Sequence, residues 1–260
     1  MNANFIVIIP ARMNSTRLPN KALADIGGQP MVIRVAERAK HSSAKHVYIA
    51  TDDVRIMDAA ALAGISGLLT DSAHQSGTER LGEAVDLLHL DDETIVVNVQ
   101  GDEPFVDPQL INQLADCLNN DPALAMATAC YPLTHADSAF NPSIVKVVLD
   151  KNHHALYFSR APIPYARDTF ANQPVTHLPA TLPMYHHIGI YAYRAGFLRQ
   201  CKSLSPSPLE QYEALEQLRI LWHGFRIGVI IASDAPAVGV DTIEDLQKAQ
   251  QIWHRNSPLS

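Results

Sequence analysis

A short, wholly apolar run near the start of the chain most constrains its fold. Residues 5–9 read FIVII, and Pro10 ends the run. Because successive side chains of a strand point to opposite faces, a strand with this pattern is buried on both sides. Central strands of parallel sheets have this composition, since helices cover both faces of such a sheet. The run therefore predicts an α/β fold.

The rest of the first half alternates strand and helix patterns. One helix between consecutive strands implies right-handed crossovers and a mostly parallel, Rossmann-like sheet. Such a sheet binds its ligand at the carboxyl ends of its strands, so the segments after residues 9, 50 and 99 are expected to carry the chemistry. Strands are predicted at 46–50, 66–69, 94–99 and 125–131, and helices at 30–40, 53–63, 77–88 and 108–118.

The second half is less regular and predicts a smaller antiparallel lobe. Three strand patterns, at 144–149, 155–159 and 187–193, follow one another without crossover helices. Residues 161–184 contain five prolines and predict a long loop. A helix at 209–222, a strand at 226–231 and a helix at 242–253 end the chain. No repeat or linker divides it, so residues 1–260 are interpreted as one domain.

Charge and cysteine content exclude several functions. The net charge is −7, which argues against a general nucleic-acid binder. No apolar run approaches the roughly 20 residues of a membrane-spanning helix, so no membrane partner is expected. The 3 cysteines are widely spaced, which indicates reduced thiols and a cytoplasmic protein. Because CxxC, HExxH and EF-hand patterns are absent, a cage-type metal site is not expected.

A basic loop follows the first strand. The first 24 residues contain Arg12, Arg17 and Lys21 but no acidic residue. Such a loop suits a polyanion such as a triphosphate, because exposed amides and three cations can neutralise phosphate oxygens. It matches neither a Walker A loop nor GxGxxG. From spacing alone, a solvated basic loop is an equal alternative.

Two aspartates are candidate magnesium ligands. Asp102 follows a buried strand beside Gly101, where a carboxylate is well placed for Mg²⁺ that shares its shell with phosphates and water. A turn or capping aspartate is the alternative. Asp241 precedes the last helix, and its position favours an N-cap, with a second magnesium ligand as the other interpretation.

Two further segments carry polar residues at helix boundaries. Ser76 and Thr78 lie where a helix starts, so they suit capping, although the same groups could contact a pyrimidine. In the 209–219 segment, Leu215 and Leu218 fit a buried stripe, and the acidic residues favour a solvated face.

Taken together, these segments resemble the 3-deoxy-manno-octulosonate cytidylyltransferases, or CMP-Kdo synthetases. The resemblance extends over roughly residues 5–250, and so many ordered pieces make chance agreement very improbable. The matching pieces are IIPAR, STRLP, ATDD, HQSGTER, VVNVQGDEP, FNPSIVKVV, ALYFSRAPIP, HHIGIYAYR, SPLE, LEQLR and GVDT.

The resemblance implies an activity, a cofactor and an assembly. It implies transfer of CMP from CTP to Kdo with release of pyrophosphate, which activates Kdo for lipopolysaccharide biosynthesis. It also implies a nucleotidyltransferase-type fold, Mg²⁺ held by Asp102 and Asp241, and a homodimer. Roughly, residues 1–130 and 205–255 would form the nucleotide-binding core, and 131–204 the sugar-acid-binding and dimerisation lobe.

The resemblance further assigns roles to individual residues. Those implied in catalysis are Arg12, Lys21, Asp102 and Asp241. Those implied in nucleotide binding are Pro10, Ala11, Arg12, Arg17, Lys21, Ser76, Gly77, Arg80, Gln100 and Gly101. Those implied in sugar-acid binding are Gln100, Arg160, His187, Tyr191, Glu216 and Gln217.

Some positions depart from the family pattern, and rival functions are open. Asn20 stands where a glycine is usual, Ala22 where a proline is usual, and Gln29 where a lysine is usual. An enzyme for 8-amino-Kdo would share nearly every motif. A sialic acid enzyme would resemble only the first loop, with a lysine-arginine pair in place of residues 16–17. A catalytically inactive nucleotide sensor is disfavoured because both Asp102 and Asp241 are retained.

Overall fold

The computed structural model describes residues 4–13, 15, 17–74, 76–171, 175–233, 235 and 239–256. Its strands are β1 (Phe5–Ala11), β2 (Asp25–Ile26), β3 (Gln29–Pro30), β4 (Val47–Thr51), β5 (Ser66–Leu69), β6 (Ile95–Asn98), β7 (Leu124–Pro132), β8 (Lys146–Leu149), β9 (Ala155–Ser159), β10 (Tyr185–Arg194) and β11 (Arg226–Ile231). Its α-helices are α1 (Met31–Ala39), α2 (Val54–Leu62), α3 (Gly77–Leu87), α4 (Pro108–Asn120), α5 (Ala136–Phe140), α6 (Arg167–Phe170), α7 (Ala195–Cys201), α8 (Pro208–Glu213), α9 (Gln217–Trp222) and α10 (Ile243–Asn256). Lys21–Leu23 forms a short 3₁₀ turn.

The main sheet is mostly parallel, as the sequence predicts. Its strands lie in the order β11-β7-β10-β6-β1-β4-β5. Within the described chain, β10 alone runs opposite to the other strands of this row. The hairpin β8–β9 extends the sheet through antiparallel pairing with β10. The predicted fold class is therefore confirmed.

The buried first strand divides the core between the two faces of the sheet. Phe5, Val7 and Ile9 pack on one face with α1, α2 and α4. Ile6 and Ile8 pack on the other face with α3, α7 and α9. All seven residues of β1 are buried, because both faces are covered by helices.

The strand order reverses beside β1 and opens a crevice there. The chain passes from β1 through α1 to β4 on one side, and then returns through α3 to β6 on the other. Open α/β sheets bind ligands at such a reversal, at the carboxyl ends of the strands. Gly101 lies at this point, where a Cβ would be only 3.0 Å from the Pro10 carbonyl oxygen. Glycine therefore permits the close approach of the segments that follow β1 and β6.

The predicted helix at 209–222 is wrong as one continuous element. It consists of α8 and α9, separated at Ala214, which has a left-handed backbone (φ 51°, ψ 52°). Alanine is a strong helix former, so local propensity favours continuation and tertiary packing overrides it. The break places Glu216 at the N-cap of α9 and Gln217 in its first turn.

The second half joins the main sheet more closely than the sequence suggests. The predicted strand at 187–193 is β10, which lies inside the main sheet between β6 and β7. The predicted loop at 161–184 contains α6, and residues 172–174 lie outside the described part of the chain. The division into core and lobe stays a prediction.

The last helix supports both the basic loop and Asp241. One cluster of buried side chains joins Leu18, Ile26, Val240 and Ala249. Because Leu18 belongs to the basic loop and Val240 precedes Asp241, α10 anchors both segments. None of the described helices has the length and apolar character needed to cross a membrane.

Candidate active site

A cavity of about 790 Å³ lies over the carboxyl ends of β1 and β6. We call it the nucleotide cavity. It brings together every residue that the sequence assigns to nucleotide or metal binding. These lining residues are Pro10, Ala11, Arg12, Arg17, Lys21, Ser76, Gly77, Arg80, Gln100, Gly101, Asp102 and Asp241. Residues 16 and 75, which belong to the quoted motifs, lie outside the described part of the chain.

Lys21 joins the two predicted magnesium ligands. Its Nζ donates to Asp102 Oδ2 at 2.5 Å and to Asp241 Oδ1 at 2.9 Å. Arg17 Nη2 lies 3.0 Å from the same Asp241 oxygen. The backbone adds a direct link, because the Val240 amide donates to the Asp102 carbonyl at 2.9 Å. Residues far apart in the chain thus form one charged cluster.

The charges of this cluster determine the protonation of Lys21. Burial alone would lower the pKa of Lys21, but the charges and hydrogen bonds of Asp102 and Asp241 outweigh burial and raise it. Lys21 is therefore a firmly held cation at neutral pH. It offsets negative charge of the two carboxylates in the free protein, and its positive charge can bind an anion.

The cluster also fits a divalent cation by its donor chemistry. Mg²⁺ typically takes one or two protein carboxylates and completes its shell with phosphates and water. Asp102 and Asp241 supply two carboxylates that converge on one point, marked by Lys21 Nζ. No group of three or more His, Cys, Asp or Glu side chains suited to a metal was found within the described residues. Two carboxylates are within the number of protein ligands that Mg²⁺ accepts, so Asp102 and Asp241 could hold the ion.

Arg80 holds one wall of the nucleotide cavity. Its Nη2 donates to Asp52 Oδ2 at 2.9 Å, and its Nη1 donates to the Thr70 hydroxyl. Arg80 is 3% exposed, so this ion pair is well shielded from water. Asp52 immediately follows β4 and was not singled out from the sequence, although it lies at the expected edge of the sheet. Ser76 also performs its simpler role, because its hydroxyl caps α3 by accepting from the Glu79 amide at 3.3 Å.

A second cavity, of about 890 Å³, shares lining residues with the first. We call it the acceptor cavity. Both cavities are bordered by His74, Ser76, Gly77, Gln100 and Glu216. Five predicted sugar-acid residues line the acceptor cavity, namely Gln100, His187, Tyr191, Glu216 and Gln217.

His186 and His187 of the acceptor cavity are neutral at physiological pH. Burial, with the neighbouring His186 as a second cause, lowers the pKa of His187 to about 3. Burial and the charge of Lys146 lower the pKa of His186 to about 4. His187 Nε2 lies 2.9 Å from the Thr128 hydroxyl, which fixes the ring. These groups therefore offer neutral hydrogen bonding at the cavity wall.

Glu216 provides an acidic group where the cavities meet. Burial, with the nearby Glu210 and Glu79, raises its pKa against the opposing effects of Thr78 and Arg219. Thr78 Oγ1 donates to Glu216 Oε2 at 3.2 Å. A carboxylate at this junction suits hydroxyl groups of a ligand.

Arg160 is the predicted sugar-acid residue that lines neither cavity. Its guanidinium donates to the backbone carbonyls of Glu213 at 2.7 Å, Pro142 at 3.0 Å and Ala214 at 3.4 Å. Ala214 itself borders the acceptor cavity, so Arg160 braces the cavity wall. Its implied role in sugar-acid binding stays a prediction.

Comparison with known proteins agrees with this geometry. The family model described as cytidylyltransferase matches residues 6–227. The chain belongs to the cytidylyltransferase family. It is therefore a nucleotidyltransferase enzyme, as the motifs predict.

Two solved structures resemble this cytidylyltransferase. CMP:2-keto-3-deoxy-manno-octonic acid synthetase, complexed with CTP, is 38% identical with a TM-score of 0.88, over 98% of this chain and 100% of that one. The resemblance to CMP-Kdo synthetases is thereby confirmed. A cytidylyltransferase from Leptospira borgpetersenii serovar Hardjo-bovis (strain JB197) is 19% identical with a TM-score of 0.64, over 99% of this chain and 89% of that one. At that identity the second structure shows the fold.

Glu103 is a largely buried acid beside the charged cluster of the cytidylyltransferase, and sequence reasoning did not single it out. Burial and the charges of Asp102 and Asp241 raise its pKa to about 8, against the opposing charge of Lys21. It packs on Gly239, where a Cβ would lie 2.7 Å from Glu103 Oε1. Two adjacent acidic residues after a buried strand were the available signal. Glu103 thus stays largely protonated at neutral pH.

We expect Glu103→Gln to raise the stability of the metal-free protein at high pH. A folded pKa of about 8 exceeds the ordinary value of 4.5, so the wild type loses stability as pH rises from 4.5 through 8. Glutamine mimics the protonated acid and does not titrate. In urea unfolding with a chelator, the advantage of the variant should therefore grow between pH 5 and pH 9. Glu244→Gln, at an exposed position, is the control. An advantage independent of pH would contradict the assignment.

Asn20 explains one departure from the family pattern. It precedes the 3₁₀ turn of Lys21 with a left-handed backbone (φ 57°, ψ 28°). Glycine and asparagine are the residues that adopt this conformation most readily, so asparagine preserves the turn that aims Lys21.

We expect Asn20→Gly to retain full stability, whereas Asn20→Val should lower the free energy of unfolding by roughly 1–2 kcal/mol. The valine Cβ strains a left-handed backbone, and glycine has no Cβ. Thermal unfolding of both variants measures the difference. Equal melting temperatures would show that the turn relaxes to another conformation.

Proposed function

We propose that this cytidylyltransferase transfers CMP from CTP to Kdo, which forms CMP-Kdo and pyrophosphate and activates Kdo for lipopolysaccharide biosynthesis. The observation that carries the proposal is the pair of adjacent cavities that share lining residues. One holds cations and two carboxylates, and the other is lined by polar groups that include His187, Tyr191 and Glu216. The match over 98% of the chain to a synthetase complexed with CTP supports the same donor.

The nucleotide cavity suits the triphosphate of CTP. Arg12 and Arg17 provide planar guanidinium groups and Lys21 a compact charge, which together neutralise phosphate oxygens. Phosphoryl-type transfer needs positioning and charge neutralisation more than covalent help from the protein. The three cations therefore fit this reaction class.

Asp102 and Asp241 are proposed to hold Mg²⁺. When bound, the ion would neutralise the triphosphate and stabilise charge on the leaving pyrophosphate. With the ion bound, Lys21 would exchange part of its contact with Asp102 and Asp241 for a contact with phosphate. Arg17 can follow the same exchange, because it also contacts Asp241.

The acceptor cavity suits a hydroxyl-rich acid. The anomeric hydroxyl oxygen of Kdo attacks the α-phosphorus and its proton is released to solvent, while a new O–P bond forms and the bond to pyrophosphate breaks on the opposite side. Gln100 and Glu216 border both cavities and therefore lie between donor and acceptor. His187, held by Thr128, and Gln217 line the acceptor cavity and are proposed to orient the sugar.

A homodimer in the cytoplasm completes the proposal. Large apolar side chains of the 131–204 region are exposed, including Leu156 and Tyr165, each 61% exposed. A second copy of the chain would cover them. All 3 cysteines are free, which suits a reducing compartment. Sedimentation at micromolar concentration should give twice the chain mass; a species of 28.5 kDa would contradict the dimer.

Pyrophosphate release tests the function directly. CTP, UTP, ATP and GTP are each offered with Kdo, 8-amino-Kdo or sialic acid in the presence of Mg²⁺. The proposal expects release only with CTP and fastest turnover with Kdo. Preference for 8-amino-Kdo would retain the chemistry and change the acceptor, whereas no release with any pair would contradict the function.

A further inference from the structure

Asn98 carries an unusual buried group. It is the last residue of β6 and is 2% exposed. Its Oδ1 has no hydrogen-bond partner, and among the described residues it is the one buried side-chain polar atom in this state. Leaving a buried acceptor unpaired costs about 1–3 kcal/mol, so each such group in a native protein calls for an explanation, and a hydrogen bond to a ligand is one.

The position of Asn98 indicates where that partner comes from. Asn98 borders the acceptor cavity together with Gln100, Tyr191 and His187. Tyr191 is its direct cross-strand neighbour on β10, so both side chains lie on the same face of the sheet. A ligand in this cavity would therefore meet Asn98 at the end of the central strand.

Neighbouring polar groups show that the unpaired state is specific to Asn98. Thr128 is also fully buried, on β7, yet its hydroxyl donates to the Ile190 carbonyl at 2.8 Å and lies within hydrogen-bond distance of His187 Nε2 and the Ile188 carbonyl. Glu216, at the junction of the cavities, accepts from Thr78. Asn98 Oδ1 is thus an acceptor without a donor among the described residues, and a hydroxyl group of a ligand in the acceptor cavity could supply one.

We propose that Asn98 is a specificity-determining residue whose Oδ1 accepts a hydrogen bond from a hydroxyl group of the acceptor sugar acid. This inference rests on the proposed function. A site that holds a hydroxyl through a buried polar group discriminates strongly against analogues that lack it, because the protein group is then left unpaired.

Asn98→Leu, which is similar in shape and apolar, tests the proposal through activity and stability. We expect kcat/KM for Kdo to fall on the order of ten- to a hundredfold, with the KM for CTP unchanged. The melting temperature of the ligand-free protein should rise, because an unpaired buried acceptor is removed. Thr128→Val is the matched control for stability, and its melting temperature should fall because its hydroxyl is paired.

Acceptor analogues that each lack one hydroxyl of Kdo separate a direct contact from a structural effect. With the analogue that lacks the contacted hydroxyl, kcat/KM of the wild type should fall. With that analogue, kcat/KM of Asn98→Leu should equal that of the wild type. The proposal would be overturned if Asn98→Leu melted at a lower temperature than the wild type. It would also be overturned if the wild type lost the same activity with every analogue. Wild-type pyrophosphate release with CTP and Kdo reports separately on the proposed function, so its failure would be distinguished.

Discussion

Replacing Asp102 with asparagine is expected to lower kcat for CMP transfer on the order of 10²–10³-fold, the usual cost of removing one group that stabilises transition-state charge. Asparagine keeps the shape of the side chain but removes the charge that Lys21 contacts at 2.5 Å. The substitution also removes one of the two carboxylates proposed to hold Mg²⁺. Because the backbone link from Val240 to Asp102 is unaffected, the fold should be retained.

Single-turnover pyrophosphate release at saturating CTP and Kdo measures this effect. Asp58→Asn, at an exposed position on α2, is the control and should keep full activity. Asp241→Asn should lower kcat by a similar factor. In the double variant, kcat should fall by less than the product of the two single factors, because both carboxylates are proposed to hold the same ion. Full activity in either single variant would refute the shared role.

Replacing Lys146 with methionine is expected to lower the free energy of unfolding by about 3 kcal/mol, the scale of several unpaired buried carbonyls. Lys146 is fully buried on β8, and its Nζ donates to three carbonyl oxygens. These belong to Asn141 at 3.0 Å, Ile144 at 2.6 Å and Arg160 at 2.6 Å. Burial and the charge of Arg160 lower the pKa of Lys146, and the charge of Glu213 opposes them.

Urea unfolding of the Lys146 variant measures the loss, with Lys151→Met, at an exposed position, as the control. The substitution should also raise the KM for Kdo more than that for CTP, since Lys146 holds the backbone of Arg160 at the acceptor-cavity wall. A change in unfolding free energy below about 1 kcal/mol would show that water replaces the ammonium.

Much of the site was predictable because it follows the carboxyl ends of buried strands. The FIVII run indicates β1. The strand order reverses beside β1, next to β6, and the segments that follow these two strands carry the basic loop and Asp102. The role of Asp241 was not predictable from its own segment, where capping was the better interpretation. Its contacts with Lys21 and Arg17 arise because α10 packs against the basic loop.

Other features depend on contacts that no local pattern reports. The break at Ala214 interrupts a stretch of strong helix formers, and Glu216, just beyond it, borders the cavities. The hydrogen bonds from Arg160 to backbone carbonyls likewise depend on packing, as does the unpaired Oδ1 of Asn98.

The sequence by itself determined the strand and helix alternation, the cations and carboxylates at the edge of the sheet, and the family. These depend on periodicity and residue type, which are local properties of the chain. The tertiary structure alone decided which charges meet, which acids stay protonated and which buried acceptor lacks a partner. Those outcomes depend on distance and burial, because electrostatic and hydrogen-bond energies are set by neighbours that are remote along the chain.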